Sequence, residues 1–331
     1  MIISRTPFRI SLFGGGTDYP AWFRQHGGAV VGMAINKYCY ISARRLPPFF
    51  EHKSRIVYSL VELVRDVSQI QHPAVRGVLQ DLGISDGLEI HHDADLPARS
   101  GLGSSSSFTV GLLNALCALE NRMISKRDLA REAIRIEQQV LKETVGCQDQ
   151  LWAAYGGFNR IDFQPNGDFN VQPIIMKAER RQELLRSIML FFTGFSRFAP
   201  GYAQDQVDNF VQSTSKLETM RAMVDEAVEI LANGRAPVPE LGQLLHEAWQ
   251  LKRELASTVS NRQIDEIYEA GRAAGAIGGK LLGAGGGGFM VFLVDPAKRD
   301  CVRDRLKELI HVSVDVDTEG SRIILYQPNG V

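Results

Sequence analysis

The chain has 331 residues, 37 basic against 38 acidic side chains, a formal net charge of −1 and 44% hydrophobic residues. That length points to two domains, and that balance to a folded chain, not a disordered one. With no basic field and no Lys/Arg-rich run, nucleic acid is not an expected partner. In chain order, residues 2–13 and 28–46 read as β, rich in branched and aromatic side chains. Between them Asp18 is placed to cap a short helix through Trp22 and Phe23, ending near Gly27-Gly28. A strand over 86–93 leads to a loop opening at Pro97. From Ser104 to about Glu120, Phe108, Leu112, Ala115, Leu116 and Leu119 recur at helical spacing. Ser125-Lys126-Arg127-Asp128 reads as a capping box for a helix to about Lys142. Strands near 157–163 and 188–193 precede a helical region from about 199 to 274, broken around Asn233 to Pro239. The end reads β (289–294), α (296–310), β (312–317), β (322–326), and the domains are drawn as residues 1–180 and 181–331.

The N-terminus lacks the basic start and apolar stretch of a signal peptide, and no run approaches about 18 apolar residues. The cysteines Cys39, Cys117, Cys147 and Cys301 form no CxxC pair. A cytoplasmic protein without disulfides, zinc or a membrane partner is expected; the oligomeric state is not legible.

Glycine supplies the functional signal. The 31 glycines concentrate in Gly14-Gly15-Gly16, in the stretch Ser100 to Ser107, and in Gly275 to Gly288. Set against apolar segments, such clusters mean close backbone approach to a ligand or to another element. Gly283 to Gly288 matches GxGxxG, but a strand follows it where a dinucleotide fingerprint needs a helix. Gly275 to Lys280 resembles a Walker loop, yet Leu281 stands where the magnesium-binding hydroxyl belongs. Pro97 to Ser107 differs: it is a glycine-rich loop running into a helix, where free N–H groups and the helix dipole favour a phosphate. Its serines can also ligate a hard cation. On the following helix, Glu137 falls at the centre of a face made by Ala130, Ala133, Ile134 and Leu141. A carboxylate there is costly unless paired or bound to a cation, so a buried salt bridge and a metal ligand are both open. Asp149, twelve residues on, is a helix cap or a catalytic base. His91-His92 reads as a solvated strand end.

Three segments, in order, resemble the signature motifs of the GHMP small-molecule kinases: Pro7 to Tyr19, Pro97 to Ser107 and Lys280 to Gly288. Glu137 and Asp149 stand where that family carries its magnesium ligand and its base. The resemblance implies an α+β fold in two domains, an N-terminal one like domain 2 of ribosomal protein S5 and a ferredoxin-like C-terminal one. It also implies γ-phosphoryl transfer from ATP with Mg²⁺. Carried over by residue, Ser105 and Glu137 would hold Mg²⁺. Pro97, Ser100, Gly101, Leu102, Gly103, Ser104, Ser105 and Ser106 would form the nucleotide loop. Asp149 would be the base, Arg9 the cation beside it, and Asp18, Gly15, Gly16, Thr17, Gly285, Gly286 and Arg197 would contact substrate.

Galactokinases carry Glu-His where this chain has Gly15-Gly16, so bulk and negative charge are missing there. The likeness is greatest to the D-glycero-α-D-manno-heptose 7-phosphate kinases, in the segment from Arg5 to Pro20, in Ser104 to Ser107 and in Thr193 to Arg197. It implies phosphorylation of the anomeric C1 hydroxyl to a 1,7-bisphosphate, on the route to GDP-heptose for surface glycans. Arg44, Arg45, Arg99 and Arg197 are the candidates to hold the 7-phosphate. The alternatives are an anomeric kinase of an unphosphorylated sugar such as fucose or a hexose, and a sensor of the same fold without turnover.

Overall fold

The computed structural model describes residues 1–85, 87–194, 202–233 and 236–328, with 202 and 233 described by backbone alone. Strands Ile2–Phe13 (β1) and Gly28–Arg45 (β2) pair antiparallel over most of their length, as their β-branched and aromatic content predicts. They are joined by the turn Gly14 to Tyr19 and the helix Pro20–His26. The 18-residue β2 serves two neighbours. Its first half takes Phe158–Phe163 (β6) and its second takes Leu88–Ala94 (β5). Ser54–Val57 (β3) and Val61–Val64 (β4) extend the β5 side, and Phe169–Pro173 (β7) pairs β6.

A second sheet is built from Ile188–Phe192 (β8), Ala276–Leu281 (β9), Phe289–Val294 (β10) and Ile310–Val312 (β11) in the order β11-β8-β10-β9. Helices lie between β8 and β9 and between β10 and β11, so the order fourth-first-third-second is the ferredoxin-like arrangement that the family resemblance implies. Phe191, Phe292, Tyr268 and Trp249 fill the core on one face of this sheet. The main core continues through both halves, from Phe8, Ile10 and Leu12 to Val224, Leu245 and Leu293. No helix among the described residues is long and apolar enough to cross a membrane.

Several expectations are corrected. The Pro20–His26 helix is capped at Tyr19, whose side chain makes no cap bond; Asp18 instead accepts the Gly16 N–H at 2.9 Å. The predicted helix 296–310 is a 3₁₀ turn, Pro296–Lys298, followed by the helix Arg299–Arg305. The predicted strand 312–317 reduces to β11 and a single bridge from Val316 to Ile35. The last strand, Arg322–Tyr326 (β12), pairs with β1, so a division at residue 180 separates two strands of one sheet.

Candidate active site

A cleft of about 820 Å³ lies between the two halves of the chain. The end of β1 supplies Arg9 and Ser11, the β1–β2 connection Gly15, Gly16 and Asp18, and the glycine-rich loop Gly101, Gly103 and Ser104 to Ser106. Lys252, Lys280, Gly283 and Ala284 face them from the C-terminal half.

The loop is shaped at Gly103, whose φ of 76° lies in the left-handed region and ends the loop at the N-cap of the helix Ser104–Leu119. The first N–H groups of that helix have no partner within it. A Cβ on Gly103 would stand 3.2 Å from the Asp149 carboxylate, so glycine lets the loop reach the acidic residue. The Arg9 guanidinium closes the corner. Its Nε and Nη2 donate to the two oxygens of Asp149 at 2.8 and 2.9 Å, and Nη1 donates to the Gly101 carbonyl at 2.5 Å. Such a fork fixes the carboxylate in plane. Asp149 lies in the first turn of the helix Gln148–Tyr155, where the dipole favours an acid.

Glu137 is 1% exposed and sits in a π-helical turn, Ile136–Val140, that continues the helix Lys126–Arg135. Ser106 Oγ and Gln150 Nε2 donate to its Oε2 at 2.9 and 2.5 Å, while its Oε1 is buried without a hydrogen-bond partner. Burial pushes its carboxyl up to about 8, against the lowering effect of Ser106 and Gln150. The serine on Glu137 is therefore Ser106; Ser105, placed beside it by the sequence, is exposed at the cleft. Asp18 is fully buried and its carboxyl is raised, first by burial, with the charge of Asp149 adding to it. Its Oδ2 has no partner and lies against Gly146, where a Cβ would come within 1.9 Å.

Other assignments change. Thr17 does not line the cleft: it is 0% exposed and its hydroxyl bonds the Gly14 and Ala29 carbonyls at 2.8 and 2.9 Å, a structural use. Gly285 and Gly286 turn toward Val259, whose carbonyl accepts the Gly286 N–H, and the third motif meets the cleft through Lys280, Gly283 and Ala284. Of the nucleotide loop, Pro97 is exposed away from the cleft and Leu102 is in the core. Ser100 is buried, and its carbonyl accepts the Phe289 N–H at 3.0 Å, tying the loop to the third motif. Arg44 pairs with Glu89 and Arg45 with Glu120, both off the cleft; Arg99 lines it, and Arg197 lies outside the described residues.

Lys252 and Lys280, 5% and 4% exposed, were not singled out as site residues from the sequence. Lys252 carried a readable signal, since Leu241, Leu245, Ala248 and Lys252 share one helical face.

The model of the GHMP kinase N-terminal domain matches residues 67–157, and that of the C-terminal domain matches residues 235–311. A D-glycero-alpha-D-manno-heptose 7-phosphate kinase of Campylobacter jejuni is 30% identical over 308 residues, covering 90% of this chain and 91% of that one. The chain belongs to the GHMP kinases. A galactokinase of Pyrococcus furiosus is 26% identical, with 92% of each chain covered. The crystal structure of a D-glycero-D-manno-heptose 1-phosphate kinase from Bacteroides thetaiotaomicron shares the fold, with a TM-score of 0.80 and 24% identity over 98% of this chain and 99% of that one.

As a GHMP kinase the protein is an ATP-dependent phosphotransferase, and the geometry is suited to that chemistry. The loop offers backbone N–H groups to phosphates, Arg9 offers a fixed positive charge, and Asp149 offers an acceptor for a hydroxyl proton beside both.

Proposed function

We propose that this GHMP kinase transfers the γ-phosphoryl group of ATP to the anomeric C1 hydroxyl of a sugar phosphate, D-glycero-α-D-manno-heptose 7-phosphate. The observation that carries the reaction class is the Arg9–Asp149 fork held against the glycine-rich loop. Asp149 accepts the hydroxyl proton, the freed oxygen attacks the γ-phosphorus, and the bond to the β–γ bridging oxygen breaks to release ADP. Arg9 keeps the Asp149 carboxylate in plane and lends positive charge where negative charge is transferred. Asp18, with an unpartnered buried oxygen, is the anchor for sugar hydroxyls.

Mg²⁺ fits the residues present. Glu137 has an orphaned carboxylate oxygen inside the protein, Ser106 is on the same carboxylate, and Ser105 opens to the cleft: an all-oxygen set suited to a hard cation that keeps phosphate and water ligands. When bound, the ion neutralises the phosphates. The heptose phosphate as acceptor is supported by the Campylobacter relative and by Gly15-Gly16 in the cleft lining, which leave room for a long acceptor.

The test is ADP release with Mg-ATP against heptose 7-phosphate, sedoheptulose 7-phosphate, mannose 6-phosphate, mannose, galactose and fucose. Turnover confined to the heptose 7-phosphate is expected. Turnover only on free sugars would overturn the substrate. Asp149→Asn should reduce turnover by about 100-fold or more, the scale of a general base, while nucleotide affinity holds. An unchanged rate in that variant would remove the base.

A further inference from the structure

We infer that Lys142 is a binding residue for the polyphosphate of the nucleotide; this rests on the ATP-dependent transfer of the GHMP kinases and not on the identity of the acceptor. Its backbone is held against its preference. Lys142 has a φ of 56°, in the left-handed region, where the π turn Ile136–Val140 ends and the Glu143 N–H donates back to the Glu137 carbonyl at 2.8 Å. Glycine or asparagine is the usual residue at such a helix end, because a longer side chain is strained there. The chain follows that rule at the end of the helix Ser104–Leu119, which closes with Asn121 at a φ of 54°. Among the described residues the other two non-glycine residues in this region are Arg99 and Lys142, and both line the cleft. Strain held at a cation on a cleft wall points to a use for its side chain.

Lys142 is exposed at the cleft and forms no hydrogen bond or ion pair among the described residues, although Glu143 is its neighbour and lines the same wall. Its position selects the anion. The turn that Lys142 closes is bound to the nucleotide loop, since Glu137 accepts from Ser106 Oγ in the first turn of the helix Ser104–Leu119. Leu141 packs on the helix Pro73–Asp81, where a Cβ on Gly77 would stand 2.7 Å from its Cδ2. The N-cap of that helix, His72, stacks on Phe108 of the helix that follows the nucleotide loop. The sugar anchor lies farther along the segment: Gly146 packs on the Asp18 carboxylate, and the Cys147 N–H donates to the Asp18 carbonyl at 2.9 Å. Lys142 therefore stands where the segment leaves the nucleotide loop, four residues before its contact with Asp18. A lysine there is a point charge with three donors on a flexible stem, suited to phosphate oxygens.

The experiment measures Mg-ATP and adenosine affinity by calorimetry, and the KM of the sugar that the acceptor panel identifies, in wild type, Lys142→Met, Lys142→Arg and Lys142→Gly. Lys142→Met keeps the stem and removes the charge. It should weaken Mg-ATP binding by about 10-fold, the scale of a hydrogen bond to a charged group, with adenosine affinity unchanged and Lys142→Arg close to wild type. Lys142→Gly should lose Mg-ATP affinity equally while its Tm stays at or above that of wild type, since glycine adopts this backbone freely. Unchanged Mg-ATP affinity in Lys142→Met, or a loss shared by adenosine, would overturn the inference. So would a rise in the KM of the sugar alone, which would give the lysine to the acceptor. A Lys142→Gly protein less stable than wild type would remove the strain on which the inference stands. The choice of acceptor is decided by the panel and survives any of these results.

Discussion

The polar residues at the cleft are held by charge and burial more than by covalent neighbourhood, and Lys280 shows how. Its ammonium is buried on β9, donates to the Leu12 carbonyl of β1 at 2.9 Å, and faces Arg9 and Asp18. Burial, and then the positive charge of Arg9, lower its pKa from 10.5 to about 7; Asp18 acts the other way. Below pH 7 the lysine is charged in both folded and unfolded chains, and the full cost of burying it is present. Between 7 and 10.5 the unfolded chain binds the extra proton, so this residue makes stability rise with pH. Lys280→Met removes that dependence. Urea unfolding should show the variant gaining most over wild type near pH 6, with the gap narrowing by roughly 4 kcal/mol toward pH 10. A gap independent of pH would show that the ammonium carries no such penalty. The placement of Arg9, Asp149 and Asp18 at one cleft, and the burial of Glu137, were legible in the sequence because these residues stood at the family's motif positions or on an apolar face. Thr17, Gly285 and Gly286 belong to the same motifs but serve the backbone, and only packing separates the two uses.

Elements set how closely these groups can approach. The helix Val238–Arg253, which carries Lys252, lies against β9 at glycine distance. A Cβ on Gly278 would stand 1.9 Å from the Gly242 carbonyl oxygen, and one on Gly242 would stand 2.6 Å from the Ile277 side chain. The clash at Gly278 is with backbone, which no rotamer relieves. Gly278→Ala should therefore cost about 1–3 kcal/mol or more in chemical denaturation. Wild-type stability would show that the helix can slide. The cluster Gly275 to Gly288 was visible in the sequence, yet its first half is mostly helix-to-strand packing, and of its glycines Gly283 lines the cleft, beside Lys280 and Ala284. The π turn at Ile136–Val140 was not visible either, since its extra residue leaves the apolar periodicity of the preceding helix intact. Short strands fared worst. β3 and β4 have four residues each, too few for alternation to register against their polar flanks.

At the scale of the whole molecule, the two sheets were predictable as architecture but not as independent pieces. β12 completes the first sheet beside β1, through Ile2 opposite Tyr326 and Arg5 opposite Arg322, after the chain has built the second sheet. The preceding segment is bound as tightly: the Asp317 N–H donates to the Ala34 carbonyl, Ser321 N–H to Ala153, and Lys126 Nζ to the Glu319 carbonyl. The helix Thr214–Asn233 places Leu217 and Val224 against Gly16 and Gly14, in the same core as Phe13 and Val30. Such pairings span some 170 to 320 positions, and local sequence patterns carry no record of them. They decide what a truncation does. A fragment of residues 1–180 exposes the β1 edge that β12 covers and the apolar face beneath Leu217 and Val224, and leaves the Ala34 and Ala153 carbonyls without their partners. Buried apolar area and backbone bonds are then lost together, in a chain whose net stability is of the order of 10 kcal/mol. The fragment should show no cooperative thermal transition by calorimetry, and residues 181–331 supplied as a second chain should restore one. A sharp two-state transition from residues 1–180 alone would mean that β12 and its helix only decorate a self-sufficient N-terminal half.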